Sequence, residues 1–147
     1  MRIVGVLLGV SLLLTSGLAT AQEPTFQRVG TVGELMRDII YPLSDELFYV
    51  MRSPPETDYE WTQLRRSALM LAESGNLLMI EGRWIAEDDW MDHSRELVRV
   101  GEIAYEATEA RDLDAIVALS PRLETSCRAC HEQYHPRYRR RPENVED

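Results

Sequence analysis

The segment Asp112-Leu-Asp-Ala-Ile-Val-Ala-Leu-Ser-Pro-Arg-Leu-Glu-Thr-Ser-Cys-Arg-Ala-Cys-His-Glu-Gln-Tyr-His135 carries Leu113, Ile116, Ser120, Leu123, Cys127, Cys130 and Tyr134 at alternating steps of three and four. That period places all seven on one face of an α-helix, because side chains three or four apart lie above one another. A strand would need alternation by two, and this segment has none. Pro136 biases His135 away from helical geometry and closes the element. Pro121 lies inside the pattern; it either bends the helix or restarts it with Ser120 as a fresh cap, and the sequence is compatible with both.

Three earlier stretches repeat the pattern. From about Thr31 to Arg52, the residues Leu35, Ile39, Leu43, Leu47 and Val50 form a stripe. Pro42 predicts a kink within this helix and not a stop, because the stripe keeps its phase beyond it. Ser53-Pro54-Pro55 ends it. Thr57-Asp58-Tyr59-Glu60 reads as a capping box that opens a second helix, with Trp61, Leu64, Ala68, Leu71, Gly75, Leu78 and Gly82 on its stripe. A third begins near Asp88 and Asp89, whose charges suit the positive end of a helix dipole; its stripe is Trp90, Ser94, Leu97, Gly101, Ala104 and Thr108. A mid-helix glycine costs about 1 kcal/mol relative to alanine, so the small residues Ala68, Gly75, Gly101 and Ala104 point to close helix contact or to a bulky occupant. No strand pattern, repeat or low-complexity linker interrupts these four. The expected fold is all-α, an antiparallel up-down-up-down four-helix bundle in a single domain.

Composition agrees. The chain has 147 residues, 44% hydrophobic, enough for one core without covalent staples. Its 16 basic residues, all Arg, face 25 Asp and Glu, a formal charge of −9; that balance excludes a nucleic-acid binder, which needs a basic footprint. Arg2, the apolar run from Ile3 to Leu14 and the small residues Ala19-Thr20-Ala21 form the three parts of a secretory signal peptide. The run is shorter than the roughly 20 residues of a membrane span. Residues 1–21 are therefore expected to be removed, leaving 22–147 as the folded domain in the periplasm, not embedded in the membrane. Export takes the chain's only two cysteines into an oxidising compartment, where thiols rarely stay free.

Those cysteines stand in Cys127-Arg128-Ala129-Cys130-His131, a C-x-x-C-H segment, the attachment signature of c-type haem. On a helix both sulfurs and the imidazole can address one flat ligand: the thiols bond the two vinyl groups and His131 coordinates iron. A thioredoxin-like site would need a βαβ setting that the chain does not offer. A Cys127–Cys130 disulfide would have poor geometry at this helical spacing. A zinc site built on Cys127, Cys130 and His131 or His135 finds no second ligand pair of ordinary spacing. One covalently attached haem c is the expected cofactor.

Topology points to a sixth ligand. In an up-down bundle the end of the fourth helix lies level with the start of the first, the end of the second and the start of the third. Met36, Met79 and Met91 lie near that pole, and Met51 and Met70 do not. Met36 shares the height of His131 on a helix expected to neighbour the fourth, so it is the candidate axial sulfur; a flexible core filler is the other reading of such a methionine. Leu35 would help to close the distal side.

The four helices, the C-terminal C-x-x-C-H and the aromatic-then-basic exit from Tyr134 to Arg137 resemble the cytochrome c prime family over the whole of residues 22–147. Thr31-Val-Gly-Glu-Leu-Met36 is similar to the first-helix opening of its low-spin members, in which a methionine binds iron. The resemblance implies thioethers from Cys127 and Cys130, His131 as proximal ligand and Met36 as distal ligand. High-spin members leave the distal position open behind an apolar residue. A homodimer through the first two helices is compatible with the resemblance.

Other residues carry less. Trp84 and Trp90 flank the second connection and read as core closure or as packing on the macrocycle. His93 lies beside its stripe and is expected to face solvent. His135 is too near His131 along the helix to reach the opposite face of the same iron. Arg137, Arg139, Arg140 and Arg141 form a basic patch suited to haem propionates or an acidic partner, or else a solvated tail. No acid–base pair, nucleophile elbow or phosphate loop appears, so an enzyme is not expected. The leading expectation is a mono-haem electron carrier serving periplasmic or membrane-bound redox proteins. A five-coordinate protein that binds nitric oxide or carbon monoxide, and a haem-free metal-binding helical protein, are the alternatives.

Overall fold

The computed structural model describes residues 26–85 and 88–135. The expected leader and the arginines after Pro136 lie outside the described residues. All regular structure among the described residues is helical. Helix α1 runs without a break over 32–48, as an α turn (Val32–Glu34), a π-helical segment (Leu35–Ile40) and an α segment (Tyr41–Phe48). A 3-10 turn, Val50–Arg52, follows. Helices α2 (Asp58–Leu78), α3 (Asp88–Glu109) and α4 (Leu113–Tyr134) complete the order.

The helix starts have local causes. Thr57 caps α2 and Glu60 reaches back to its backbone, as the capping-box pattern requires. Thr31 and Glu34 make the same reciprocal pair at α1, from a T-x-x-E pattern not singled out in the sequence. Asp112 caps α4 by accepting from the Ala115 N–H at 2.9 Å. His135 leaves α4 in extended geometry, as the following proline demands.

Two prolines sit within helices. At Pro121 the α-helix runs through without restarting. Around Pro42 the ladder changes register: the Tyr41 N–H bonds the Met36 carbonyl, five residues back. This overturns the expected constant phase of the first stripe. Leu35, Ile40, Ser44, Leu47 and Val50 are buried, whereas Ile39 and Leu43 are only partly so. The five-residue step from Leu35 to Ile40 is one π turn.

Helix α1 packs on α2 and α4, α2 on α3, and α3 on α4. One apolar cluster joins all four, with Ala68, Leu71 and Val100 fully buried. Close contact between α2 and α3 accounts for the glycines. A Cβ on Gly101 would lie 2.6 Å from the Ala72 Cα, and one on Gly75 would lie 2.7 Å from the Val98 side chain and 2.8 Å from the Ser94 carbonyl. Gly82 falls outside α2, contrary to the expected stripe, in a turn with φ of 79° that favours glycine. Arg28 donates to the Gly82 carbonyl. The buried Arg83 donates to the carbonyls of Gly30 and Leu77 at 3.1 and 3.0 Å. These arginines lace the segment before α1 to the end of α2, and so fix where α1 begins.

Candidate functional site

A cavity of about 720 Å³ opens between α1, α3 and α4, a volume ordinary for a cofactor or small-molecule site. Helix α4 supplies Ser126, Cys127, Cys130 and His131, with His135 at its C-cap; α1 supplies Met36, Arg37, Ile40, Tyr41, Ser44, Asp45 and Phe48, with Tyr49 at its C-cap; α3 adds His93, Ser94 and Leu97, with Leu78 from α2. The two cysteines, His131 and Met36, chosen from distant parts of the sequence, thus share one lining.

The structure places the remaining candidates as follows. Leu35 does not line the cavity; the π turn directs it into the core, where it is 6% exposed. Met79 is the C-cap of α2, and Met91 packs at the edge of the core. Trp90 is a core residue whose indole N–H donates to the Leu78 carbonyl at 2.9 Å and whose ring meets Tyr134 edge-on. Trp84 is exposed. His93, expected in solvent, lines the cavity instead: its Nε2 pairs with the Gln133 Oε1 at 3.0 Å, its ring lies edge-on to Tyr134, and Gln133 is held in turn by Asp89 at 2.9 Å. His135 stands on the same helix as His131, ring centroids 5.4 Å apart.

Three serines belong to the lining that periodicity alone did not single out as site residues. Ser44, Ser94 and Ser126 each donate to a carbonyl of their own helix, at 2.9, 2.8 and 2.8 Å. Their hydroxyls are satisfied locally, so the side chains act as short, nearly apolar surface that leaves room beside them. The signal was available: a serine on a buried helical stripe is a small residue before it is a polar one.

The titratable groups fit a thioether and imidazole site. Burial pushes the Cys127 thiol up. Burial, with Cys127 close by, pushes Cys130 up to about 11. Both are therefore neutral thiols at ordinary pH, the reverse of the depressed thiol of a redox-active pair, and no disulfide joins them. Burial, followed by the charge of His135, lowers the His131 pKa and favours the neutral imidazole, the form that binds a metal. Among the described residues no group of three or more His, Cys, Asp or Glu side chains is placed to hold a metal ion. No described helix is long and apolar enough to cross a membrane. No family model matches the chain, and no curated protein or solved structure is significantly similar to it.

Proposed function

We propose that the chain is an exported mono-haem c-type cytochrome that carries single electrons, its helices an antiparallel four-helix bundle with the haem near one pole. Cys127 and Cys130 would hold the haem through thioethers, and His131 and Met36 would ligate its iron. The carrying observation is the cavity of about 720 Å³ in which the C-x-x-C-H side chains of α4 and the thioether of α1 share a lining.

Each residue has a definite task. Each thiol exchanges its S–H bond and a vinyl π bond for a C–S and a C–H bond, so attachment needs no net oxidation, and the neutral thiols start in the required protonation state. His131 offers a neutral nitrogen, and Met36 an uncharged, polarisable sulfur. Ile40, Phe48, Leu78 and Leu97 keep water from the interior and disfavour additional positive charge there. Bound haem supplies the one-electron ferric–ferrous couple, at a potential raised by Met/His ligation. Tyr41 and Tyr49, 65% and 45% exposed at the rim, mark where a periplasmic or membrane-bound redox protein would approach. A homodimer through α1 and α2 is compatible with this reading.

The absorption spectrum of the exported, haem-loaded protein tests it. The expected spectrum is six-coordinate and low-spin, with the weak far-red sulfur-to-iron band, and Met36→Ala converts it to high-spin. A high-spin ferric spectrum in the unaltered protein, shifting on addition of nitric oxide, would replace electron transfer with gas binding. Absence of a haem mass increment after denaturation, in a host that attaches haem, would end both.

A further inference from the structure

The π segment Leu35–Ile40 is the stretch of α1 that contains Met36. π-helical turns are rare and concentrate at functional sites; here the geometric effect can be derived. Successive α-helical residues turn by about 100°, so the eight steps from Met36 to Ser44 would leave these side chains about 80° apart around the axis. A π turn absorbs one extra residue. The same path then counts as seven steps and brings the two within about 20° of each other. Met36, Ile40, Ser44 and Phe48 accordingly all line the cavity. Leu35 and Leu47 give an independent check. Twelve α steps would set them about 120° apart, yet both are buried, at 6% and 2% exposure, as eleven effective steps require.

Pro42 holds this turn open. In α register its nitrogen would face the Asp38 carbonyl with no hydrogen to donate, and its ring would press on that oxygen. With the Tyr41 N–H bonded back to the Met36 carbonyl, a new α segment starts at Tyr41. Pro42 then falls in the first turn of that segment, where proline is tolerated. We infer that Pro42 is a positioning residue for Met36: the π turn it enforces rotates the thioether into the cavity that His131 also lines. The inference rests on the haem reading above, and adds to it the element that aims the distal ligand.

The test uses the full-length, haem-loaded protein. Pro42→Ala restores the α rung and swings Met36 by about 100°, so the far-red band loses at least half its amplitude while the high-spin fraction rises. Combining Pro42→Ala with deletion of the exposed Asp38 leaves seven α steps between Met36 and Ser44, and the band returns. A role confined to general stability would not be rescued by removing a residue. A full-strength band in Pro42→Ala, or a double variant no better than the single one, overturns the inference. Should Pro42→Ala fail to accumulate, inserting one alanine after Asp38 in the natural chain displaces Met36 by the same angle; a full-strength band there also overturns it. The two levels separate cleanly. If Met36→Ala leaves the spectrum unchanged, the ligand reading fails; if Met36→Ala abolishes the band and Pro42→Ala keeps it, only the positioning role fails.

Discussion

Helices α1 and α4 both wall the cavity, and each contains a proline, but they respond to it in opposite ways. Along α4 the α ladder continues through Pro121; along α1 it opens into a π turn just before Pro42. Solvent does not distinguish the two, since both prolines are exposed. The buried neighbours do. In α4 they are Ile116, Leu119, Leu123 and Ser126, at steps of three, four and three that the α register satisfies. The carbonyl freed by Pro121 belongs to Val117, 38% exposed, where water can reach it. In α1 the buried residues are Leu35, Ile40, Ser44 and Leu47, and their first step of five fits a π turn. Either proline would interrupt an unbroken α ladder; the buried spacing of α4 holds the α register through Pro121, whereas that of α1 accommodates the π turn that Pro42 enforces.

The largest effects belong to α4. Replacing both Cys127 and Cys130 by serine abolishes the haem mass increment under denaturing conditions, whereas Met36→Ala on α1 retains it in full and changes only the spin state. On the proposed reading the α4 wall would attach the haem and the α1 wall would tune it. Loss of the increment in Met36→Ala would show that α1 also guides attachment, and the division between the walls would dissolve.

Next in size is the contrast between the prolines. Pro121→Ala regains a helical rung and stabilises the protein by up to about 3 kcal/mol, less what the unfolded chain gains in freedom. Urea unfolding measures it, and the far-red band stays unchanged. Pro42→Ala has the reverse signature, a weakened band with little gain in stability, because Pro42 already sits in the first turn of its α segment, where proline is tolerated. A spectral change in Pro121→Ala would mean that helix strain in general, and not the register of α1, governs the distal ligand.

This contrast also shows what was legible in the sequence. The four helical stretches, the capping box at Thr57 and the C-x-x-C-H segment follow from spacing alone, because each is local. The shared lining of Met36 and His131 was legible only through topology, by asking which helix ends lie level. The π turn was not legible, because periodicity assumes a constant angle per residue and Ile39 fits a stripe as well as Ile40 does. His93 was misplaced for a related reason. It lies one position from Ser94 on α3, and whether that edge meets solvent or a cavity depends on how far apart α3 and α4 stand.

The smallest effect lies at the helix starts. Glu34 accepts from the Thr31 backbone N–H at 2.8 Å and from its hydroxyl at 2.7 Å, and the backbone bond, foremost, holds its carboxyl below the usual carboxylate range. A group whose pKa is lowered by folding stabilises the fold above its unfolded value and loses that contribution as pH falls through the folded one. Glu34→Gln keeps an acceptor for Thr31 but removes the charge at the positive end of the helix. It therefore lowers the urea midpoint slightly at neutral pH, and the difference from the natural protein closes once the medium is acid enough to protonate Glu34. The far-red band is expected to stay constant in this variant throughout, because the turn that aims Met36 is set downstream, by the register at Tyr41 and Pro42. If the band weakened together with the cap, the orientation of the thioether would depend on how α1 begins, and the contrast between the two walls would have to be redrawn around Thr31.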